Sequence, residues 1–386
     1  MNIGIDIRPL MEKNRTGVGE YTFSMLDAIF QLDKNNQYYL FYNSAKKNIK
    51  LPDWQQDNIH FVKTNYPNKI LNLAIILKII CLDNLLPEKI DCWYSPNINF
   101  FNLNKKIKKI LTIHDLSFEI FPEFYTFKQR LWHWFVKPQQ QCQQADLLIV
   151  PSENTKRDLS VYYKIDKQKI KVIYPGVADT FKELPSGAQK SVVQKKYNLP
   201  ENFILFLGSV EPRKNILGLI QAFEKLPDYL TDKYSLIIAG ACGWKNRDIY
   251  NQALNSKLHN KIKFLGYIPE PEKPPLYSLA SVFVFPSFYE GFGFPLLESM
   301  KMLCPTITSN RSSLPEITNN AAYLIDPNNT NSLISGIKIL LEDNLVRDEY
   351  LKRGATLASN YSWDKSAKSL LKNISTLFDD IKNQIT

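Results

Sequence analysis

The chain has 386 residues, 44% of them hydrophobic and 22% charged, which excludes a disordered or collagen-like protein. Its net charge of +10, from 48 basic and 38 acidic residues, is shared by both halves of the sequence. This distribution favours an anionic small ligand or an anionic membrane surface over nucleic acid as partner.

The five cysteines are scattered and form no Cys-x-x-Cys pair. A zinc site or a disulfide framework is therefore not expected, and the cytoplasm is the expected compartment. The amino terminus lacks the basic-then-apolar pattern of a signal peptide.

The first half of the sequence alternates short apolar stretches with helical ones. Helices are predicted at 19–32, after a loop at 8–18, and at 128–145. Strands are predicted at 2–7, 38–42, 59–63, 92–94, 109–113 and 147–150. This alternation is typical of a parallel sheet that helices cover on both faces.

The same alternation restarts near residue 202. Strands are predicted at 203–207, 234–239, 262–265, 282–285 and 306–308. The polar stretch 178–191 has no clear period and is interpreted as a linker. The sequence thus predicts two doubly wound α/β domains, at 1–180 and 195–362, that face each other across a cleft. A final amphipathic helix at 363–386 is expected to pack back on the first domain.

Because parallel sheets bind ligands beyond the carboxyl ends of their strands, functional residues are expected in the loops that follow strands. Gly17 and Gly19 lie between the first strand and a helix, which suits either an anion-binding loop or a plain tight turn. His114 follows the strand at 109–113. It is either a cleft residue or a buried, hydrogen-bonded histidine.

The strand at 203–207 is followed by Gly208, Ser209 and the pair Arg213-Lys214. Two adjacent cations at a strand-to-helix turn suit a diphosphate, with Arg as a planar fork and Lys as a point charge. A solvated basic pair is the alternative.

Two glutamates flank a turn with glycine and aromatic residues after the strand at 282–285. Glu290 precedes this turn, and Glu298 lies one turn inside the next helix. The amides of Phe292 and Gly293 are expected at the helix start. Carboxylates accept hydrogen bonds from sugar hydroxyls; for Glu298 alone, interaction with the helix dipole is the alternative.

With these motifs the chain resembles the retaining, nucleotide-sugar-dependent glycosyltransferases of family 4, which have the GT-B fold. The resemblance covers nearly the whole chain. The pair of glutamates with the upstream Arg-Lys pair is its specific part. The corroborating motifs are Thr112-Ile-His-Asp115, Pro151-Ser-Glu-Asn154, Tyr174-Pro-Gly-Val177, Ser312-Ser-Leu-Pro-Glu316 and Tyr361-Ser-Trp363.

The resemblance implies a role for each of these positions. Arg213 and Lys214 would bind the donor diphosphate together with Gly17 and Gly19. Ser209, also beside the diphosphate, stands where many relatives have Arg, and Arg213 is expected to take over that role.

On the sugar side, Glu290 and the amides of Phe292 and Gly293 would bind the hexose. His114 would act near the reaction centre. Glu298 would bind the ribose, and the loop with Tyr267 and Ile268 would bind the base.

The Glu-Pro-Arg-Lys-Asn branch resembles bacterial mannosyltransferases that build surface polysaccharides. The resemblance therefore implies GDP-mannose as donor and a saccharide or lipid-linked acceptor. An epimerase of the same fold and an inactive binding protein are the alternatives. No cofactor or metal is expected, because the sequence has no Asp-x-Asp pair.

The apolar segment 70–86 is interrupted by Asn72 and Lys78 and is followed by the lysine-rich stretch 105–109. This pattern suits peripheral contact with an anionic membrane. A core helix beside a solvated lysine cluster is the alternative.

Overall fold

In the computed structural model of the chain, residues 1–11, 17–46 and 49–385 are described, with side chains through residue 379. The chain divides into two compact units. The first comprises Met1–Leu116, Lys128–Gly176 and Ser362–Thr386, and the second comprises Ser117–Phe127 and Val177–Tyr361.

Each unit is built on one parallel sheet. The strands are β1 (Asn2–Asp6), β2 (Gln37–Asn43), β3 (Ile59–Thr64), β4 (Cys92–Ser95), β5 (Lys108–Thr112), β6 (Leu147–Val150), β7 (Ile170–Val172), β8 (Phe203–Leu207), β9 (Ser235–Ala239), β10 (Ile262–Gly266), β11 (Val282–Phe285), β12 (Thr306–Ser309) and β13 (Tyr323–Ile325). The strand orders are β3-β2-β1-β4-β5-β6-β7 and β10-β9-β8-β11-β12-β13. The predicted fold class is confirmed.

The central strands β8 and β11 are short and continuously apolar because both faces of their sheet are covered. Every residue of β8 and of β11 is buried. These strands form one hydrophobic core with the helices of the second unit. The two strands that the sequence did not predict, β7 and β13, have three residues each and lie at sheet edges.

The helices connect and cover the strands. They are α1 (Gly17–Leu32), α2 (Asn68–Ile76), α3 (Ser117–Ile120), α4 (Phe127–Val136), α5 (Pro138–Gln144), α6 (Glu153–Tyr162), α7 (Gly187–Lys196), α8 (Ile216–Glu224), α9 (Asp228–Lys233), α10 (Arg247–Asn255), α11 (Lys273–Leu279), α12 (Phe294–Lys301), α13 (Leu314–Thr318), α14 (Thr330–Glu342), α15 (Asn344–Ala358) and α16 (Trp363–Ile385).

Two helical predictions and the predicted linker need correction. The helix predicted at 128–145 is two helices, because Lys137 adopts a left-handed φ of 53° directly before Pro138, which cannot donate a backbone hydrogen bond. The stretch 178–191 is more ordered than a linker: Phe181 is buried in the core, and α7 begins at Gly187 behind a capping box of Ser186 and Gln189. Helix α1 begins two residues earlier than predicted.

The segment Ser117–Phe127 belongs to the second unit although it follows a strand of the first. The Phe124 ring stacks on Phe288 at 5.7 Å, and Phe121 lies 5.9 Å from the Tyr289 ring. The Trp244 indole nitrogen donates to the Phe124 carbonyl at 2.7 Å. We call this segment the strap.

Helix α16 belongs to the first unit and packs on α1. The Trp363 ring lies 5.6 Å from Tyr21, and the Ser366 hydroxyl donates to the Tyr174 carbonyl at 2.6 Å. The backbone of Gly176 passes so close to this helix start that an added Cβ would lie 2.2 Å from the Trp363 nitrogen. The corroborating motifs at 174–177 and 361–363 therefore meet at one packing contact.

Helix α2 covers only the first part of the apolar segment 70–86, and it is not a core helix. Only Leu71 and Ile75 of this helix are buried, whereas Ile70 and Leu73 are exposed. Within the described ranges, no helix has both the length and the apolar character that crossing a membrane requires.

Candidate active site

The loops that follow β8 and β11 emerge side by side, because these parallel strands are neighbours in the second sheet. They bring Arg213 and Lys214 to Glu290. The Lys214 ammonium lies 2.6 Å from Oε1 of Glu290, and a guanidinium nitrogen of Arg213 lies 2.9 Å from Oε2. The three residues form a buried ion cluster, completed by Glu211 at 2.8 Å from Arg213.

The turn before α8 places the two cations. Pro212–Lys214 is a single 3-10 turn, and Asn215 then adopts a left-handed φ of 55° before α8 begins. This turn presents both cations towards the neighbouring loop, where Arg213 also donates to the Tyr289 carbonyl at 2.7 Å.

The electrostatics of the cluster keep Glu290 ionised. Burial raises the pKa of its carboxyl, but the charges of Arg213 and Lys214 outweigh burial and lower this pKa to about 2. Burial and the charge of Arg213 lower the pKa of Lys214, and Glu290 opposes that shift. The cluster is thus a set of mutually dependent charges in a region of little solvent.

The turn between Glu290 and α12 is fixed by two serines. Ser312 accepts a hydrogen bond from the Glu290 amide at 2.9 Å, and Ser313 donates to the Glu290 carbonyl at 2.8 Å. Gly293 has a φ of 101°, a conformation that L side chains rarely adopt, and it precedes the first residue of α12. Phe292 is buried and lies 5.9 Å from the Tyr361 ring.

Glu298 lies on α12 and is buried against α11. Its Oε2 accepts a hydrogen bond from the Tyr277 hydroxyl at 2.9 Å. Burial, followed by the charge of Glu298, raises the pKa of Tyr277 well above its ordinary value. Tyr277 is therefore a neutral donor that orients the carboxylate. The two glutamates of the motif thus have different partners.

The remaining predicted positions of the second unit lie on its surface or in its core. Ser209 is exposed two residues after the end of β8. Tyr267 is exposed after β10, whereas the Ile268 side chain is part of the hydrophobic core. Of the predicted base-binding pair, only Tyr267 presents its side chain to solvent.

In the first unit, His114 follows β5 and is partly buried. Its Nε2 lies 2.9 Å from the Pro96 carbonyl, and its ring meets Tyr21 edge-on at 4.7 Å. Burial lowers the pKa of His114 below its ordinary value, so the ring is neutral at pH 7. Because a carbonyl only accepts, Nε2 carries the proton and Nδ1 is the hydrogen-bond acceptor.

Gly17 and Gly19 lie in the first turn of α1, where backbone amides have no partner within the helix. Thr16, the residue before them, lies outside the described residues. The roles predicted for these glycines and for His114 stay predictions.

Sequence reasoning missed the partners of the charged residues. Glu211, Tyr277, Ser312 and Ser313 hold the predicted site residues in place. Ser312 and Ser313 were part of a motif, but nothing in the sequence connected them with the turn after Glu290. The signal for Glu211 was its position two residues before Arg213.

Known proteins share this architecture. Sucrose-phosphate synthase from Thermosynechococcus elongatus superposes with a TM-score of 0.77 at 18% identity, covering 98% of this chain and 100% of that one. Anabaena HepE in complex with UDP-glucose gives a TM-score of 0.70 at 16% identity, covering 97% and 100% of the two chains. The fold is the GT-B fold of glycosyltransferases.

Sequence comparisons give the family. The model of Glycosyltransferase Family 4 matches residues 29–181, and that of Glycosyl transferases group 1 matches residues 189–357. O-antigen chain mannosyltransferase B of Escherichia coli is 32% identical over 268 residues, which are 69% of this chain and 70% of that protein. The chain belongs to the group 1, family 4 glycosyltransferases, and it is an enzyme of that class.

Proposed function

We propose that this enzyme transfers a hexose from a nucleoside-diphosphate donor, with mannose from GDP-mannose as the specific candidate. The acceptor is a saccharide or a lipid-linked saccharide of a cell-surface polysaccharide. The observation that carries the proposal is the buried cluster of Arg213, Lys214 and Glu290. Mannose is supported by the similarity to the Escherichia coli mannosyltransferase.

Arg213 and Lys214 stabilise the diphosphate as it leaves. An ammonium group has three N–H donors. Among the described residues Lys214 donates to one carboxylate, so two of its N–H groups remain for phosphate oxygens. Fixed cations in a buried site need little reorganisation when charge develops on the leaving group. The reaction therefore needs no divalent metal.

The transfer retains the anomeric configuration without a covalent intermediate. Both oxygens of Glu290 are bound by cations, and its pKa lies near 2. A carboxylate held in this way is a weak nucleophile and a weak base. We therefore assign proton acceptance from the acceptor hydroxyl to the departing phosphate, on the same face of the sugar.

NMR of the first-formed product tests the stereochemistry. The product of an α-linked donor should be α-linked. A β-linked first product would contradict retention.

A donor screen by nucleotide release tests the function itself. GDP-mannose with an acceptor extract should release GDP, and donor alone should release little. Conversion of the donor to an epimer without acceptor would instead identify an epimerase. A donor-dependent rise in the unfolding temperature without turnover would identify an inactive relative.

Peripheral contact with an anionic membrane at the cytoplasmic face belongs to the same proposal. A lipid-linked acceptor is confined to a bilayer, so an enzyme that uses one must reach the bilayer surface.

A further inference from the structure

Helix α4 exposes apolar side chains on one face. Leu131, Trp134 and Phe135 are 42%, 67% and 44% exposed. Their spacing of three and four residues places them together on the helix. In most globular proteins such a face packs into the core. Here only Val136 of the helix is buried.

Helix α2 has a second exposed apolar face. Ile70, Leu73 and Leu77, directly after the helix end, are 61%, 55% and 59% exposed. They follow each other at intervals of three and four residues. Leu71 and Ile75 anchor the opposite face in the first unit.

The loop after β4 contacts both α4 and the residues that follow α2. Its Phe100 ring lies 6.0 Å from Trp132 of α4. Two residues on, Asn102 donates to the Ile80 carbonyl at 3.0 Å, just after α2. Helix α2 follows β3 and this loop follows β4, so they emerge at the carboxyl edge of the first sheet, as does His114 after β5.

Three stretches of the chain that contain or flank these two helices are basic. The stretches 58–82, 92–114 and 124–145 contain ten of the 48 basic residues and none of the 38 acidic ones. Lys69, Lys78, Lys128 and Arg130 of these stretches are exposed.

We propose that the exposed faces of α2 and α4 form a docking surface for an anionic lipid bilayer. The apolar side chains enter the boundary between headgroups and acyl chains, and the cations bind the headgroups. A second copy of the chain is disfavoured as occupant because it would bring like charges together. The inference deepens the proposed function, since docking at this edge brings a lipid-linked acceptor towards the edge that carries His114.

Vesicle sedimentation of the full chain tests the proposal. The protein should bind vesicles that contain phosphatidylglycerol, bind pure phosphatidylcholine weakly, and detach as salt is raised. The double variant Leu131→Ser, Trp134→Ser should bind at least about tenfold more weakly, since each methylene kept out of the lipid accounts for about fourfold. The double variant Lys128→Gln, Arg130→Gln should lose the preference for phosphatidylglycerol.

The matched control is Leu254→Ser with Leu345→Ser, two exposed leucines of the second unit. It should bind as the wild type does. Equal binding by wild type and the Leu131, Trp134 variant would overturn the proposal. The proposal would also be overturned if the wild type formed a dimer without affinity for vesicles and this variant abolished that dimer.

Activity distinguishes this inference from the proposed function. The Leu131, Trp134 variant should keep its turnover with a water-soluble acceptor and lose it with an acceptor embedded in vesicles. Transfer without any vesicle binding would refute the docking surface alone. Vesicle binding without any transfer would refute the proposed function alone.

Discussion

Two cations compensate the burial of Glu290, and this makes the stability of the second unit depend on pH. The pKa of Glu290 falls from an ordinary 4.5 to about 2 in the folded chain. Its carboxylate therefore stabilises the fold above pH 4.5, and this contribution is lost as the pH falls towards 2.

In Glu290→Gln the free energy of unfolding should change less across this pH window, because glutamine does not titrate. Urea unfolding at a series of pH values measures the slope. Glu201→Gln, at an exposed position, is the control. A Glu290→Gln variant with the wild-type slope would show that another group produces it.

Lys214→Ala should lower turnover by ~10²–10³, the usual effect of removing one donor that stabilises developing charge. Lys214→Arg keeps the charge but not the compact ammonium, and its turnover should fall less than that of Lys214→Ala. EDTA should leave wild-type activity unchanged, as measured by nucleotide release. Activity that EDTA abolishes and Mg²⁺ or Mn²⁺ restores would be inconsistent with charge stabilisation by these cations alone.

His114 and Glu298 should affect different steps. His114→Ala should lower kcat with little change in nucleotide affinity, because we propose that His114 acts at the sugar. Glu298→Ala should weaken donor binding by ~1.5–3 kcal/mol through the loss of charged hydrogen bonds to the ribose. Tyr277→Phe, which removes the hydroxyl that orients Glu298, should have a smaller effect of the same kind.

Steady-state kinetics together with nucleotide titration measure both effects. Equal losses of nucleotide affinity in the two alanine variants would rule out this division of roles.

The sequence could predict that Arg213, Lys214 and Glu290 share a site, because each follows a buried parallel strand. It could not show that Glu290 pairs with both cations, since an ion pair across 76 residues depends on which strands are neighbours. Nor could it show that Ile268 lies in the core. An apolar residue in a predicted loop can point into the core or towards solvent.

At the scale of elements, continuous apolar runs predicted the central strands well, because burial on both faces leaves a strong pattern. The edge strands β7 and β13 leave no such sequence pattern, because they are short and partly exposed. The break between α4 and α5 was visible in the sequence as Pro138.

Gly176→Ala should lower the free energy of unfolding by ~1–3 kcal/mol or more, because backbone rather than a flexible side chain occupies the space that the Cβ needs. Gly187→Ala is the matched control: an added Cβ there meets nothing within 4 Å, at the first residue of α7. Thermal unfolding measures both. Equal unfolding temperatures for Gly176→Ala and the wild type would contradict the close approach at Trp363.

At the scale of the whole molecule, the last helix of the chain belongs to the first unit. Removal of residues 362–386 should therefore reduce hydrogen-exchange protection in α1, which packs on α16, and leave β8–β13 protected. Loss of protection in β8 as well would show that the two units do not unfold separately.

The strap determines how far halves of related enzymes can be exchanged. A chimera joined near residue 180 would combine the strap of one parent with the Phe288 and Tyr289 surface of the other. Its rings would then meet a surface that evolved with a different partner, next to the segment that carries Glu290. Transplanting the candidate active site intact therefore requires residues 117–127 to move with the second half of the chain.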